Sequence, residues 1–237
     1  MSALFPVRLE AARATRRGKT LVGPIDLELA GQGTTVVIGP NGAGKTTFLS
    51  LLHGTARLGG GRIRWNCPTE EARHHQCFVF QQPVMLRRTV LQNLTFPLRM
   101  RGMARGPAED KARTWAARVG LGGMLTRQAP VLSGGERQKL ALARAMITEP
   151  QLMFLDEPCA SLDGRAMREI EEILQEARAG GMRLILSTHD MGQARRLADE
   201  VLFLLHGKLH EHGRTPEFFT SPETPQARAF LQGDIVE

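Results

Sequence analysis

The stretch Gly39-Pro40-Asn41-Gly42-Ala43-Gly44-Lys45-Thr46-Thr47 decides the fold of this chain. It fits the pattern G-x-x-x-x-G-K-[ST], in which a glycine-rich loop wraps phosphate groups with backbone amides. The residues before it, Thr34–Ile38, are typical of a buried strand, and Thr46–Leu52 is typical of a helix. A strand, a loop and a helix in this order point a helix N-terminus at an anion. The sequence therefore predicts a nucleotide-binding P-loop.

Each part of this loop has a predicted role. The glycines allow unusual backbone angles and close approach of the main chain to the phosphates. Lys45 supplies a positive charge to the β- and γ-phosphates, and the hydroxyl of Thr46 suits a Mg²⁺ ion. Thr47 adds a further hydrogen-bond donor. The predicted phosphate-binding residues are Gly39, Pro40, Asn41, Gly42, Ala43, Gly44, Lys45, Thr46 and Thr47.

A pair of carboxylates follows the apolar run Leu152–Leu155. This run is predicted as a buried strand, so Asp156 emerges at its end, where its carboxylate would hold Mg²⁺ through water. Glu157 points elsewhere and is the candidate general base that polarises the attacking water. The alternative is an ordinary acidic turn before Pro158.

Composition narrows the class of protein. The 237 residues include three cysteines, and an odd count without paired spacing argues against a disulfide framework or a metal knot. No stretch approaches the ~18 uncharged apolar residues of a membrane-spanning helix. The start lacks the charged and apolar regions of a signal peptide. We therefore expect a soluble, cytoplasmic protein that can still dock on a membrane partner.

The net charge of +7 comes mostly from arginine. A basic surface suits nucleic acid, anionic lipid or an acidic partner, and it also suits a solvated surface with no partner. Tyrosine is absent and aromatic residues make up 5% of the chain, which leaves little stacking surface for single-stranded nucleic acid. We expect no nucleic-acid partner.

Strand-like and helix-like segments alternate, which favours an α/β fold with a largely parallel sheet. Strand patterns vanish over residues 83–148, and helical spacing appears at Ala108–Val119. We predict one domain over residues 1–237. Its α/β nucleotide-binding core comprises residues 1–82 and 149–237, and its helical subdomain comprises residues 83–148.

Local sequence signals add further expectations about breaks, turns and caps along the chain. Pro97 and Gly102, followed by Gly106-Pro107, are expected to break the helical segment. Gly59-Gly60-Gly61 is predicted as a turn. Thr215 is expected to cap a short helix that has Pro216 at its first position.

The stretch Leu132-Ser133-Gly134-Gly135-Glu136-Arg137-Gln138 lies between the P-loop and the acidic pair. Glycine amides and a serine hydroxyl at the start of a helix, predicted over Glu136–Ile147, form an anion site. In this place the stretch resembles the signature motif of the ATP-binding cassette (ABC) ATPases, the motor subunits of transporters. The resemblance runs from about Leu9 to about Gly213.

The resemblance implies a P-loop NTPase core with a mainly parallel sheet, an N-terminal antiparallel β subdomain and an inserted α-helical subdomain. In the family, the signature motif binds the γ-phosphate of ATP held by the P-loop of a second subunit. The resemblance therefore implies a homodimer with ATP between its subunits. The residues that carry this role are Ser133, Gly134, Gly135 and Glu136.

Three further positions match the family. Gln81, with Gln82 as the neighbouring candidate, fits the Q-loop glutamine that reaches the metal ion and the water. Asp163 fits the D-loop, which crosses the dimer interface. His189 fits the switch histidine, which contacts the γ-phosphate and helps Glu157 to orient water.

The sequence departs from the family at the adenine site. The family usually has an aromatic residue ahead of the P-loop that stacks on adenine, and the register places Arg17 there. A guanidinium can stack on a base plane, so Arg17 can substitute. Alternatively, the base is held loosely. We therefore expect weak discrimination between ATP and GTP.

The resemblance implies an ATPase that uses ATP and Mg²⁺ to drive a separate integral-membrane permease at the inner face of the cell membrane. The helical insert would contact that permease around Met85–Leu98. Cys159 stands where many cassettes have threonine. This detail and the ending, from Glu217-Phe218-Phe219 through Ala229–Asp234, resemble ATPases of phosphate and, more closely, tungstate importers. A substrate-binding protein would then be an indirect partner. The alternatives are an exporter or lipoprotein-release ATPase, and a soluble cassette that acts on nucleic acid.

Overall fold

The computed structural model describes residues 4–234 and residue 236. Its strands are β1 (Val7–Arg16), β2 (Lys19–Leu29), β3 (Thr34–Ile38), β4 (Leu58–Arg64), β5 (Gln76–Val79), β6 (Leu152–Asp156), β7 (Arg183–Ser187), β8 (Glu200–Leu205) and β9 (Lys208–Arg214). Its helices are α1 (Lys45–His53), α2 (Thr69–His74), α3 (Val90–Met100), α4 (Arg105–Arg118), α5 (Gly134–Met146), α6 (Gly164–Ala179), α7 (Met191–Leu197), α8 (Glu217–Thr220) and α9 (Pro225–Gln232).

The chain divides into two compact units. The α/β unit comprises the described residues of Met1–Phe78, Gln151–Glu157 and Ala177–Glu237. The helical unit comprises Val79–Pro150 and Pro158–Glu176. The domain boundaries given above from the sequence stay a prediction.

A six-stranded sheet in the order β5-β6-β7-β3-β8-β9 forms the centre of the α/β unit. The pairs β6–β7, β7–β3 and β3–β8 are parallel, and β9 joins the edge antiparallel to β8. All five residues of β3, of β6 and of β7 are buried, as expected for strands that are covered on both faces. Because these strands are parallel, their carboxyl ends meet at one edge of the sheet.

A smaller antiparallel sheet in the order β2-β1-β4 belongs to the same unit. The run Gly59-Gly60-Gly61, predicted as a turn, lies inside β4, so that prediction was wrong. The pairing of β4 with β1 is irregular between Glu10 and Arg13. Gly61 has φ of 75°, and a Cβ atom there would overlap the carbonyl group of Ala11. The glycine therefore permits close approach of two strands.

The helical unit is built around a cluster of buried apolar side chains on α3, α4 and α5. Ala108, Ala112 and Ala116 form the buried stripe of α4, which confirms the helical spacing read from the sequence. The small side chains let this helix pack closely on its neighbours.

The predicted breaks in the helical segment were only partly right. Pro97 lies inside α3, and the helix continues past it: the carbonyl group of Pro97 accepts a hydrogen bond from the amide of Arg101 at 3.3 Å. Gly106 and Pro107 lie in the first turn of α4. Amide groups in the first turn have no intrahelical acceptor, so the missing amide hydrogen of Pro107 costs the helix no hydrogen bond. Gly102, with φ of 84°, lies between the two helices as expected.

The expected cap at Thr215 was wrong. The short helix α8 begins at Glu217 and has Pro216 at its N-cap position, without a side-chain cap. The capping threonine of this region is Thr224, whose hydroxyl accepts a hydrogen bond from the amide of Ala227 at 3.2 Å at the start of α9. In the described part of the chain, no helix combines the length and apolarity that crossing a bilayer requires.

Candidate active site

Three adjacent strands of the large sheet deliver the candidate catalytic residues to its carboxyl edge. The P-loop follows β3, Asp156 ends β6 and Ser187 ends β7. The pairing register places the Cα of Ser187 beside those of Val37 and Asp156. The parallel arrangement therefore brings together residues that lie far apart in the sequence.

The P-loop is anchored to the sheet and to β2 by its main chain. The carbonyl group of Ala43 accepts a hydrogen bond from the amide of Gly207 at 3.0 Å, and Gly207 accepts one from Gly23 at 2.7 Å. Gly44 has φ of 100°, and a Cβ atom there would come within 2.5 Å of the Val22 side chain. Both the backbone angle and the space therefore require glycine immediately before α1. The residues predicted from Gly39 to Thr47 form this loop and the first turn of α1.

The side chain of Lys45 folds back over its own loop and is 6% exposed. Its ammonium group donates hydrogen bonds to the carbonyl oxygens of Gly39 at 2.9 Å and Pro40 at 3.3 Å. It also lies 3.9 Å from Oε1 of Glu157. Burial lowers the pKa of Lys45, and the charges of Glu157 and Asp156 oppose that shift. The ammonium group is therefore held in the concavity that the P-loop amides surround.

Asp156 is 4% exposed and receives two hydroxyl groups. Thr46 Oγ1 lies 3.0 Å from Oδ1 and 2.8 Å from Oδ2 of this carboxylate. Ser187 Oγ donates to Oδ1 at 2.6 Å. Two of the three residues predicted from the sequence to bind the metal ion, Thr46 and Asp156, are therefore in direct contact, whereas the role of Gln81 stays a prediction.

Glu157 lies between two cationic or titratable groups. Its Oε2 atom is 3.0 Å from Nδ1 of His189, and its Oε1 faces Lys45. Glu157 has φ of 45°, a left-handed conformation that is uncommon for a residue with a side chain. Its amide donates to the carbonyl oxygen of Ser187 at 3.1 Å and to the hydroxyl of Ser187 at 3.0 Å. The side chain of His189 is 61% exposed, so its ring is open to a ligand.

The signature segment lies in the helical unit and is held by local bonds. Ser133 Oγ accepts a hydrogen bond from the amide of Glu136 at 3.3 Å, and Glu136 Oε2 accepts one from the amide of Ser133 at 2.7 Å. This reciprocal pair is a capping box at the start of α5. The hydrogen bond from the Ser133 amide lowers the pKa of Glu136. Gly134 and Gly135 occupy the first turn of α5.

Asp163 also has a local role in the helical unit. Its Oδ1 accepts hydrogen bonds from the amides of Arg165 at 3.0 Å and Ala166 at 2.8 Å, at the start of α6. Gln81 lies just after β5 and is exposed. A cavity of about 700 Å³ within this unit is lined by Gln81, Gly134 and Ser161, among others. The structure therefore brings the Q-loop candidate Gln81 and the signature glycine Gly134 to one cavity, together with Ser161, which lies two residues before Asp163.

Arg17 lies at the tip of the hairpin that joins β1 and β2. Arg17 and Gly18 have φ of 51° and 78°, and Arg16 pairs with Lys19. These features describe a two-residue hairpin turn with positive φ at both central positions. Arg17 is exposed, and its role at the nucleotide base stays a prediction.

Sequence reasoning placed Ser187 only at the end of a strand and gave it no role in the site. The structure gives its hydroxyl two partners, the side chain of Asp156 and the main chain of Glu157. The signal was a small polar residue directly after the apolar run Leu184–Leu186 of β7. That signal becomes specific only when β7 is known to lie between β3 and β6.

Comparison with known sequences gives many relatives that cover most of this chain, and their names include both anion and amino-acid transport systems. A sequence profile for the family described as ABC transporter matches residues 22–160. The phosphate import ATP-binding protein PstB 2 of Natronomonas pharaonis is 36% identical over 86% of this chain and 78% of that protein. The tungstate uptake system ATP-binding protein TupC of Peptoclostridium acidaminophilum is 35% identical over 82% and 92%. The L-cystine transport system ATP-binding protein TcyN of Escherichia coli is 34% identical over 93% and 94%.

Comparison with solved structures gives the same architecture. The structure of cbiO1 from Clostridium perfringens, described as part of the ABC transporter complex cbiONQ, has a TM-score of 0.82 to this chain. The match covers 93% of this chain and 92% of that one, at 24% sequence identity. At that identity the likeness concerns the fold alone. It confirms the predicted fold class, an α/β core with an N-terminal antiparallel sheet and inserted helices.

Proposed function

The chain belongs to the ABC transporter family and is an ATPase of that family, and from this membership we propose that it drives a separate membrane permease that imports an inorganic oxyanion. The observation that carries the proposal is the cluster at the carboxyl edge of the large sheet. There, Lys45 and His189 flank Glu157, and Thr46 contacts Asp156. This cluster has the charges and the acceptors that ATP hydrolysis requires.

The residues present fit a magnesium ion. Thr46 and Asp156 offer oxygen atoms, which are the ligands that Mg²⁺ prefers, and they already lie within 3.0 Å of each other. We propose that these two residues hold the ion, and Gln81 stays the further ligand that the sequence predicts. When bound, Mg²⁺ neutralises charge on the β- and γ-phosphates of ATP.

The chain's own groups supply the remaining chemistry. The P-loop amides and Lys45 bind the phosphates, because a buried ammonium group in a concave loop attracts an anion. Glu157 accepts a proton from the attacking water as general base. His189 holds the carboxylate of Glu157 at Oε2 and presents its exposed ring to the γ-phosphate.

The signature segment is proposed to act on ATP held by a second copy of the chain. Its capping box satisfies the amides of Ser133 and Glu136, while those of Gly134 and Gly135 lie in a first helical turn, where no intrahelical acceptor exists. Such amides attract an anion. A homodimer with ATP between the P-loop of one copy and the signature segment of the other would use both sites. Asp163 would lie near that interface.

A cationic surface formed by α3 and the residues just before it is the proposed contact with the permease, and it overlaps the Met85–Leu98 region predicted from the sequence. The sequence has no acidic residue between Glu71 and Glu109. We define the α3 surface by four exposed residues. They are Arg88, Phe96, Arg99 and Met100.

Two properties of the α3 surface suit an acidic, partly apolar segment of a membrane protein. The guanidinium group of Arg88 lies 5.8 Å above the ring of Phe96, and Met100 is 72% exposed. In the part of the chain that the structure describes, neither Arg88 nor Arg99 forms an ion pair with a carboxylate. Through this contact the chain would lie at the inner face of the cell membrane, and the permease would receive its substrate from a binding protein.

The oxyanion substrate is proposed from relatives and from residues outside the active site. Two of the three relatives described above are named for phosphate and tungstate, and the third for L-cystine. Cys159 in the segment after Glu157 and the ending Glu217–Asp234 favour the oxyanion group, with tungstate as the nearer case. An amino-acid importer is the second candidate, because the L-cystine relative covers the largest share of the chain among the three.

The contact with the permease is tested by charge reversal. Arg88→Glu together with Arg99→Glu should abolish co-purification with the permease and leave ATP binding by the isolated chain unchanged. Arg113→Glu on α4 is the matched control, since Arg113 is also an exposed arginine of the helical unit. Equal co-purification of the double variant and the control would remove the α3 surface from the proposal.

The substrate is tested with the reconstituted transporter. The chain, its permease and the associated binding protein are placed in liposomes, and ATP hydrolysis is measured with phosphate, tungstate, molybdate or L-cystine. Stimulation by an oxyanion alone is the expected result. Stimulation by L-cystine alone would establish the second candidate in its place.

A further inference from the structure

We propose that Ser187 is a positioning residue for ATP hydrolysis, whose hydroxyl holds the carboxylate of Asp156 and the main chain of Glu157 at the same time. It would thereby fix the candidate metal ligand and the candidate general base relative to each other. This inference rests on the roles proposed above for Asp156 and Glu157.

The hydroxyl of Ser187 donates one hydrogen bond and accepts another. It has one proton, which it donates to Oδ1 of Asp156 at 2.6 Å, and its lone pairs accept the amide hydrogen of Glu157 at 3.0 Å. The residue is fully buried, so water does not compete for these bonds. A single small group therefore links two consecutive residues of the neighbouring strand's end.

The second bond concerns an unusual backbone conformation. Glu157 has φ of 45°, which its side chain disfavours and which persists only where the surroundings enforce it. Both acceptors for its amide belong to Ser187, namely the carbonyl oxygen at 3.1 Å and the hydroxyl at 3.0 Å. Loss of the hydroxyl would let this peptide relax. The carboxylate of Glu157 would then lose its place 3.0 Å from His189.

The first bond concerns a carboxylate that has two hydroxyl partners. Thr46 also contacts Asp156, but Thr46 is itself a proposed metal ligand, so its hydroxyl has a second task. Ser187 contacts Asp156 from β7 and has no proposed part in binding the ion. The bond from Ser187 is therefore the one that holds Asp156 whether or not nucleotide is bound.

The test compares Ser187→Ala with Ser187→Thr in the full-length chain. Ser187→Ala should lower kcat about tenfold or more, because a hydrogen bond to a charged group is lost in a buried site. The KM for ATP should stay within about twofold, because Lys45 and the P-loop amides are unchanged. The Mg²⁺ concentration for half-maximal activity should rise several-fold. Ser187→Thr, which keeps the hydroxyl, should recover most of kcat.

A second readout does not depend on hydrolysis. The melting temperature of the Glu157→Gln chain is measured with ATP alone and with ATP and Mg²⁺, with and without Ser187→Ala. Ser187→Ala should leave the increase from ATP alone unchanged and reduce the further increase from Mg²⁺. If Ser187→Ala does not fold, Ser187→Cys, which has a similar size and a weaker donor, should give an intermediate kcat.

A matched control separates positioning from stability. Thr224→Ala removes a partly buried hydroxyl that bonds the amide of Ala227 and the carboxylate of Glu211 at the start of α9, away from the site. It should lower the melting temperature and leave kcat and the Mg²⁺ dependence unchanged. The proposal is overturned if Ser187→Ala keeps the wild-type kcat and Mg²⁺ dependence, or if Ser187→Thr is as impaired as Ser187→Ala. Absence of hydrolysis in the wild type would instead overturn the proposed function.

Discussion

The two anion sites of this chain are built in opposite ways. In the α/β unit, the proposed phosphate site draws Lys45, Asp156, Ser187 and His189 from the carboxyl ends of three parallel strands and from the segments that follow them. In the helical unit, the signature segment closes its capping box within four residues, from Ser133 to Glu136. The first site depends on the tertiary fold, whereas the second depends on a local sequence pattern.

This difference indicates how each site can fail. The proposed phosphate site holds the candidate base Glu157, the ammonium group of Lys45 and the candidate metal carboxylate Asp156, so we expect it to bind nucleotide within one chain. The signature segment offers amides at a helix start and needs a ligand that another molecule holds. Substitutions in the first site should therefore alter binding or chemistry in the isolated chain. Substitutions in the second should become visible only when two chains meet.

The largest effect is expected at Glu157. Glu157→Gln should lower kcat by about 10²–10⁴-fold, because an amide cannot accept a proton from the attacking water. Binding of ATP should remain, since Lys45 and the P-loop amides are intact. Steady-state phosphate release and the affinity for a fluorescent ATP analogue measure the two effects. Loss of ATP affinity of the same size as the loss of kcat would show that Glu157 serves binding instead.

The sheet that carries the proposed phosphate site is expected to lose stability in acid. Glu200 Oε1 lies 2.6 Å from the buried guanidinium group of Arg183, and these residues begin the strands β8 and β7 that flank β3. Burial acts to raise the pKa of Glu200, but hydrogen bonds with His212 and Thr35 and the charge of Arg183 outweigh it and lower the pKa to about 2. Because the folded-state pKa lies below the ordinary value of 4.5, the ionised carboxylate stabilises the fold.

Because the carboxylate of Glu200 stabilises the fold only when it is ionised, lowering the pH should destabilise the protein. The contribution of Glu200 is fully present above about pH 5 and is lost as the pH falls through 4.5 towards 2. Between pH 6 and pH 3, the free energy of unfolding should fall by on the order of 1–3 kcal/mol more in the wild type than in Glu200→Gln. Urea unfolding at a series of pH values measures this. Parallel pH profiles for the two chains would contradict the assignment.

A smaller effect is expected in the signature segment. Ser133→Ala removes an N-cap and should cost about 1 kcal/mol of stability. The affinity of the single chain for ATP should not change, while kcat should fall because the composite site is weakened. Equilibrium dialysis at a protein concentration that keeps the chain monomeric measures the affinity. A large loss of affinity there would show that the signature segment binds nucleotide of its own chain.

The smallest effect is expected at Arg17. Because this residue is exposed at a hairpin tip, Arg17→Ala should change the KM for ATP by no more than about fivefold, the range of an exposed cation–π contact. The ratio of kcat/KM for ATP and GTP should be near one before and after the change. A strong preference for ATP that survives Arg17→Ala would show that another group recognises adenine.

Much of the fold followed from the sequence because its strands are short, apolar and bounded by motifs. Thr34–Ile38 was predicted as a strand with the bounds that the structure has. Gly59-Gly60-Gly61 was misread as a turn, because the need for glycine arises from a close approach to β1. Local patterns do not contain that information.

The residues of the candidate site also differ in how far the sequence alone can predict them. The P-loop and the signature segment are contiguous patterns whose local geometry is set by neighbouring residues, and both could be recognised by inspection. Ser187 could not be recognised in this way, because its proposed role depends on the strand order β6-β7-β3, which is a property of the folded sheet. The roles of Gln81 and Asp163 stay predictions. Their proposed partners belong to bound nucleotide or to a second chain.

The central claim is that two copies of this chain close around ATP, with the phosphate site of one facing the signature segment of the other. The most direct test is the molecular mass of the Glu157→Gln chain in solution, with and without ATP in the absence of Mg²⁺. The account predicts a monomer without ATP and a dimer with ATP, and Ser133→Ala in the same background should weaken that dimer. A chain that binds ATP with undiminished affinity and stays monomeric at all accessible concentrations would contradict the account.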